Sequence, residues 1–291
     1  MKFTGRVIKG NQIGTKFGIA TANLEVGNDL DLEEGVYFVL VRNRVLQNTS
    51  SGALFYGSKK TFGGERTIEV HILDLEENLY DQELEIEILK RTRDVEKFKN
   101  AEDLFIQIKI DIIKTRKFFI RRDLFEKWNK VSNGDSINMT ELLNKKFVQY
   151  EKFKKTKKVF VYAPTGFEIP FVQKMCKNFP DKKYFFPKVI EDKLEFYESK
   201  FDDLQKGNFG LFEPLNGQRV LPNKEDLIFV PAIAVDKELN RLGRGGGYYD
   251  RFLKDVSAWK VSVVPEFAYI SKVPIENHDV KIDEVIAMIN D

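Results

Sequence analysis

The chain has 291 residues, of which 42% are hydrophobic and 32% charged. That composition is globular and excludes a disordered chain, and the length favours two domains over one. A formal net charge of +2 and a single cysteine, Cys176, exclude a broad electrostatic pull on nucleic acid or membrane and any intrachain disulfide, and they fit a reducing cytoplasm.

The opening MKFTGRVIKG lacks the apolar core of a secretory signal. Glycines at 5, 10, 14 and 18 in GRVIKGNQIGTKFGIATANLEV suggest backbone close to phosphate, or equally a glycine-rich hairpin. Thr21, Ala22 and Asn23 place two oxygen-bearing side chains on one face of an extended segment. Such a pair suits Mg²⁺ shared with nucleotide phosphates, and it reads equally as a polar strand end. NLEV, GVYFVLVRNRVL, RTIEVHILDL and QELEIEILKR are short β-branched and aromatic runs. The turn clusters GNDLD, NTSSG and FGGE separate them, so the first ~110 residues read as an all-β sandwich or barrel. In RTIEVHILD, alternation sets Ile68, Val70 and Ile72 on one face and Glu69, His71 and Leu73 on the other. Glu69 is then a candidate base toward a hydroxyl, or a solvent-facing strand residue. A helix is predicted across AEDLFIQIKIDIIKTRKFFIRRDLFEKW, capped by Asn100, with Leu104, Ile108 and Ile112 in helical register.

Beyond residue 115 strands alternate with helices, the grammar of an α/β domain with a largely parallel sheet. KKVFVYAP, KKYFFPKVI, KLEFYES, DLIFVPAIAV and KVSVVPEF read as strands. GFEIPFVQKMCKNF and YYDRFLKDVSAW read as helices. No Pro/Gly/Ser linker separates the halves, and the boundary falls inside a helical stretch. RLGRGGGYYDRFL (241–253) sits between a strand and a helix. Its glycines let amides approach a phosphate, Arg241 and Arg244 add forked donors, and Asp250 suits Mg²⁺. A nucleic-acid contact and a plain glycine turn are the other readings. The basic run KFKKTKK reads as a solvated surface, Cys176 as a core or half-buried thiol, His71 as packing or hydrogen-bonding on its strand, and His278 as a packing or turn residue.

Six separated blocks carry a family resemblance over residues ~115–291. RLGRGGGYYDRFL, KFFIR (117–121), KKVFVYAPTGFEI (157–169), YFFPKVI with GNFGLFEP, DLIFVPAIAVD and VPIENHDVKIDEVI resemble 5-formyltetrahydrofolate cyclo-ligase. The resemblance implies that ATP phosphorylates the formyl oxygen of 5-formyltetrahydrofolate. N10 then attacks that carbon, and 5,10-methenyltetrahydrofolate, ADP and phosphate leave. It assigns Lys117, Arg121, Arg241, Gly243, Gly245, Gly246, Gly247 and Tyr249 to ATP and Arg244 to catalysis. Asp250 and Asp279 would serve Mg²⁺, and Glu168, Ala163 and Tyr248 the folate.

Residues 1 to about 115 resemble riboflavin kinase. FGIATANL stands where that family has G-F-P-T-A-N-L, and GVYFVLV, KKTFGGERTIEVHILDL and NLYDQELEIEILKRTRD follow in order. The implied reaction is transfer of the ATP γ-phosphate to the ribityl 5′-hydroxyl, giving FMN. Thr21 and Asn23 would carry Mg²⁺, with Thr21 also on the nucleotide. Glu69 would be the general base, and Gly14, Lys16 and Gly18 would hold ATP. Ala20 replaces the family proline, Thr15 its basic residue, and Lys60–Thr61–Phe62 its P-T-F block. These departures keep open a non-catalytic flavin- or nucleotide-binding barrel. With no room for an adenylyltransferase module, the expected product is FMN rather than FAD.

The expectation is therefore two domains. Residues 1–115 form a riboflavin-kinase-like β-barrel with a C-terminal helix, and residues 116–291 a three-layer, Rossmann-like α/β domain. Mg²⁺ and ATP act with small-molecule substrates and without nucleic acid or membrane, in a cytoplasmic monomer or small homo-oligomer.

Overall fold

The computed structural model describes residues 1–10, 19–27, 30–43, 48–58, 66–75, 77–207 and 210–288. The chain divides into two compact units, Met1–Ile120 and Arg121–Asp291.

The first unit is a closed antiparallel barrel. Its strands are β1 (Lys2–Ile8), β2 (Ala22–Glu25), β3 (Gly35–Asn43), β4 (Asn48–Ser58), β5 (Arg66–Ile72) and β6 (Glu83–Arg93). They close in the order β1-β2-β5-β4-β3-β6, and β6 pairs back onto β1. Alternation fills the interior: Val39, Val41, Leu54, Ile68, Val70, Ile72, Leu84 and Ile86 form its core. NTSSG, read from sequence as a turn, is instead the start of β4, and Asn48, Thr49, Ser50, Ser51 and Gly52 pair with Asn43 to Val39 of β3. Long-range pairing overrides the turn propensity of Asn, Ser and Gly. β1 carries the first four residues of the glycine-rich stretch, Gly5, Arg6, Val7 and Ile8, so Gly5 lies in a strand of the barrel.

Helix α1 (Ala101–Trp128) follows, and the division between units falls within it. Asn100 Oδ1 accepts from the Asp103 amide at 2.8 Å, an N-cap bond. The buried positions of its first part include polar ones, Asp111 at 7% and Thr115 at 1% exposure, beside Phe105. Arg93 at the end of β6 grips Asp111 through Nε (3.1 Å) and Nη2 (2.7 Å), so a buried charge is paired. Phe118 stacks on Phe38 of β3 at 4.4 Å.

The second unit is α/β. It contains α2 (Asn133–Gln149), α3 (Glu151–Lys155), β7 (Lys158–Phe160), α4 (Val172–Asn178), β8 (Lys183–Ile190) and β9 (Lys193–Glu198). β10 (Gln205–Lys206), β11 (Phe212–Glu213), β12 (Leu227–Phe229), β13 (Ala234–Asp236), β14 (Arg241–Leu242), α5 (Tyr248–Leu253), β15 (Trp259–Pro265), β16 (Tyr269–Ile270) and β17 (Glu284–Met288) complete it. The main sheet runs β17-β15-β12-β7-β8-β9, parallel except for the last pair. Its core is rich in aromatics, with Phe147, Phe153, Phe171, Phe186 and Phe229 all fully buried. α2, which the strand–helix alternation left unread, starts at a capping box between Ser132 and Asp135.

Two sequence readings shorten. GFEIPFVQKMCKNF is helical only from Val172, because Pro170 lacks the amide a helix interior needs. DLIFVPAIAV breaks at Pro231 into β12 and β13, which belong to different sheets, because proline cannot continue a ladder. Among the described residues no helix is long and apolar enough to cross a membrane.

Candidate functional site

In the barrel, β2 and β5 are antiparallel neighbours, and their register sets Asn23 opposite Glu69. Thr21 immediately precedes β2, so the polar pair and the carboxylate come from adjacent strands. Glu69 lies between the buried residues Ile68 and Val70, on the other face of its strand. A Cβ on Gly10 would stand 2.1 Å from Asn23 Nδ2, so glycine is needed there for Asn23 to keep its place. His71, on the Glu69 face, donates from Nδ1 to the Ala20 carbonyl at 2.7 Å. Burial lowers its pKa, and the bond to Ala20 opposes that shift. This bond holds the backbone where the family has proline. Gly14, Lys16 and Gly18, together with Thr15 and Lys60–Thr61–Phe62, lie outside the described residues.

In the second unit the RLGRGGGYYD segment is the centre. Arg241 lies on β14, and only 2% of its side chain is exposed. Its Nη2 meets Asp250 Oδ1 at 2.7 Å, and its Nη1 donates to the Pro231 carbonyl at 3.0 Å. The proline that ends β12 thus supplies the carbonyl that anchors Arg241. Arg241 Nε and Tyr249 Oη are buried without a hydrogen-bond partner among the described residues. Such groups ask for a ligand. Asp250 Oδ1 also accepts from the Val280 amide at 3.3 Å.

Arg121, near the end of α1, donates from Nε to the Gly243 carbonyl at 2.7 Å. Its pKa is lowered, first by desolvation and then by the charge of Arg241; Asp279, Glu276 and Asp250 pull the other way. Those five side chains therefore share one neighbourhood. Asp279 caps its own turn by accepting from the Glu276 amide at 2.8 Å. Lys117, one helical turn before Arg121, is 5% exposed rather than solvated, and it falls in the first unit.

The glycines have separate reasons. Gly245 and Gly247 have φ of 102° and 68°, a region that favours glycine. A Cβ on Gly243 would come within 2.7 Å of Arg241 Nη1, and one on Gly246 within 2.9 Å of the Tyr248 ring. α5 has only six residues, so the helix read across YYDRFLKDVSAW ends at Leu253.

The other wall is built on the APTGFE segment. The Glu168 carboxylate accepts from the Thr165 amide at 2.8 Å and from Thr165 Oγ1 at 3.0 Å. Arg244 Nη2 lies 3.5 Å from Glu168 Oε1 and also bonds Thr165 Oγ1. Burial raises the Glu168 pKa, against the charge of Arg244. Tyr162, which is buried, and Tyr249, which is half-buried with a buried hydroxyl, have pKa values raised first by desolvation and next by the Glu168 charge. Tyr249 also feels Arg241, so it links the Arg241–Asp250 group to the Glu168–Arg244 group. Ala163 is half-buried beside Tyr162 and packs on the core. Tyr248 carries the Arg251 guanidinium 4.9 Å above its ring.

Sequence reasoning missed Thr165, Tyr162 and Glu276. Thr165 had a readable signal, because T-G-F-E has the S/T-x-x-E spacing, and here the Glu168 carboxylate accepts from both the Thr165 amide and its hydroxyl. Tyr162 and Glu276 had none, since only the tertiary fold brings them to the site.

Residues 1–119 match the riboflavin kinase family model. Residues 113–288 match that of the 5-formyltetrahydrofolate cyclo-ligase family. A bifunctional riboflavin kinase/FMN adenylyltransferase of Haemophilus influenzae is 35% identical over 121 residues. That match covers 40% of this chain and 37% of the relative, so the chain spans well under half of that protein's length. The 5-formyltetrahydrofolate cyclo-ligase of Mus musculus is 25% identical over 191 residues, covering 60% of this chain and 94% of its own. The solved 5,10-methenyltetrahydrofolate synthetase of Aquifex aeolicus is 32% identical with a TM-score of 0.55, over 60% of this chain and 90% of that one. With a family match from 113 to 288 and an arginine–glycine site inside it, the chain belongs to the 5-formyltetrahydrofolate cyclo-ligase family.

Proposed function

We propose that the chain is a bifunctional ATP-dependent enzyme. Its second unit cyclises 5-formyltetrahydrofolate to 5,10-methenyltetrahydrofolate, and its first phosphorylates riboflavin to FMN. One observation carries the folate half: a buried Arg241 with an unpartnered Nε opens the loop that runs through Gly243, Gly245, Gly246 and Gly247, and Arg244 of the same loop pairs with Glu168.

Phosphoryl transfer gathers charge on the γ-phosphoryl oxygens, so preorganised cations and amides supply most of the rate. Arg121, Arg241 and the glycine-loop amides fill that role. The formyl oxygen takes the phosphoryl group and ADP leaves. N10 then attacks the formyl carbon, the carbon–oxygen bond breaks, and phosphate departs. Arg244 steadies the transferring group, and Glu168 hydrogen-bonds the pterin. Tyr248, Tyr249 and Ala163 shape the walls.

Among the described residues no three His, Cys, Asp or Glu side chains converge on one point. The residues fit Mg²⁺ held mainly by phosphate oxygens with one or two carboxylates. Asp250 and Asp279 would be those carboxylates, and the ion would neutralise charge on the β- and γ-phosphates. In the barrel Thr21 and Asn23 would hold the ion and Glu69 would take the ribityl proton. The riboflavin kinase match over 1–119 does not favour a barrel without turnover.

Crossed variants test the pair of sites. Glu69→Gln should lower FMN formation by about 10²–10⁴-fold, the usual worth of a general base, and leave methenyl formation at the parent rate. A Glu69→Gln chain that still makes FMN at the parent rate would remove Glu69 from the chemistry.

A further inference from the structure

Arg251 has no part in the reading above, yet it is tied into the glycine loop from three sides. Its Nη1 donates to the Gly246 carbonyl at 3.1 Å. Its guanidinium lies 4.9 Å over the Tyr248 ring. Its Nη2 reaches the Asp192 backbone oxygen and Oδ1, each at 3.4 Å, in the turn between β8 and β9. The guanidinium also packs on Gly247, where an added Cβ would stand 2.8 Å from Nη1.

A trans peptide points its carbonyl and its N–H in opposite directions, and no peptide bond among the described residues is cis. Whatever holds the Gly246 carbonyl therefore aims the Gly247 N–H away from the holder. The same rule applies to Arg121, which holds the Gly243 carbonyl at 2.7 Å and so aims the Arg244 N–H. Gly247 sits in the left-handed region at φ 68°, where a glycine peptide turns freely unless something holds it.

We infer that Arg251 is a positioning residue for the nucleotide. It fixes the Gly246–Gly247 peptide so that the Gly247 amide faces the anion, and it uses the β8–β9 turn as its anchor. This rests on the reading that the loop from Gly243 to Gly247 receives ATP phosphates. Arg251 itself touches the loop and not the reacting atoms.

The test compares Arg251→Gln and Arg251→Lys with the parent full chain. For Arg251→Gln the ATP KM of the folate reaction should rise about ten-fold, as expected for one well-aimed hydrogen bond to a charged group. Its kcat should stay within about two-fold, and calorimetric ATP affinity at the folate unit should weaken to match. Arg251→Lys, which keeps one donor for the Gly246 carbonyl, should fall between. Riboflavin phosphorylation and the melting temperature should hold at parent values. Unchanged ATP affinity and KM in Arg251→Gln would overturn the assignment. So would a loss shared by both activities together with a lowered melting temperature, which marks Arg251 as merely structural. If the parent makes no methenyl product, the functional reading fails by itself, and the calorimetric comparison still decides the role of Arg251.

Discussion

Removing the Asp250 carboxylate is the sharpest perturbation of the folate unit. Arg241 is 2% exposed at its side chain, and Asp250 is 15% exposed. In Asp250→Ala the guanidinium keeps the Pro231 carbonyl but loses its anionic partner at 2.7 Å. Breaking a buried ion pair from one side costs about 3–5 kcal/mol. Asp250 borders solvent, so the lower end applies, about 3 kcal/mol. For a unit of this size that is a fall in melting temperature of roughly 6–12 °C. Asp250→Asn keeps an oxygen acceptor and loses only the charge, about 1–1.5 kcal/mol and roughly 2–6 °C. Both variants should lose methenyl formation by about 10²-fold or more at 25 °C, because Arg241 is then no longer held toward the phosphates. FMN formation should be untouched in both. The assay is a thermal melt with both activities measured well below the transition. An Asp250→Ala chain that melts with the parent would refute the energetic reasoning. Loss of both activities together, without unfolding, would refute independent sites.

Other outcomes follow from the same geometry. Burial raises the Glu168 pKa above its ordinary 4.5. The folded chain then binds that proton more tightly than the unfolded one, so the stability it confers is complete below about pH 4.5 and is lost as pH rises through the raised folded value. Glu168→Gln should therefore be at least as stable as the parent at about pH 8, with the advantage shrinking as pH falls, while folate turnover drops; denaturant melts across pH would expose a gap that does not change. Gly243→Ala should displace the Arg241 guanidinium, since the new Cβ would lie 2.7 Å from Nη1. About 1–3 kcal/mol of stability and most folate turnover should go, and a parent-like KM for ATP would contradict this. Asp111→Ala leaves Arg93, 15% exposed, without its bidentate partner. The barrel unit should lose about 3–5 kcal/mol in chemical denaturation while the folate unit melts as before.

Much of this site was legible because its chemistry is local in sequence. RLGRGGGYYD places arginines, glycines and an aspartate within one loop, and the fold leaves them together. Alternation in RTIEVHI likewise set Glu69 opposite the barrel core, and the register then brought Asn23 across from it. What pattern could not supply were consequences of distant packing. NTSSG has turn-forming residues, yet nine-residue pairing with β3 extends the strand through it. Pro231 splits an apolar run that hydropathy reads as one strand, and its carbonyl is then used by Arg241. The helix around Leu104, Ile108 and Ile112 was read correctly, but those three are only half-buried while Asp111 is buried, because Arg93 arrives from β6 to neutralise it. Arg251 carried no signal of its own in the sequence, and only the fold sets the Gly246 carbonyl and Asp192 against it.

The most direct test of the central claim is a split assay on the purified full chain with Mg²⁺ and ATP. One reaction contains riboflavin and is read for FMN by chromatography. The other contains 5-formyltetrahydrofolate and is read by the absorbance of the methenyl product. Turnover in both is the expected result and supports two ATP sites on one chain. No methenyl product would contradict the assignment of the arginine–glycine loop to folate chemistry, and no FMN would reduce the barrel to a binding module.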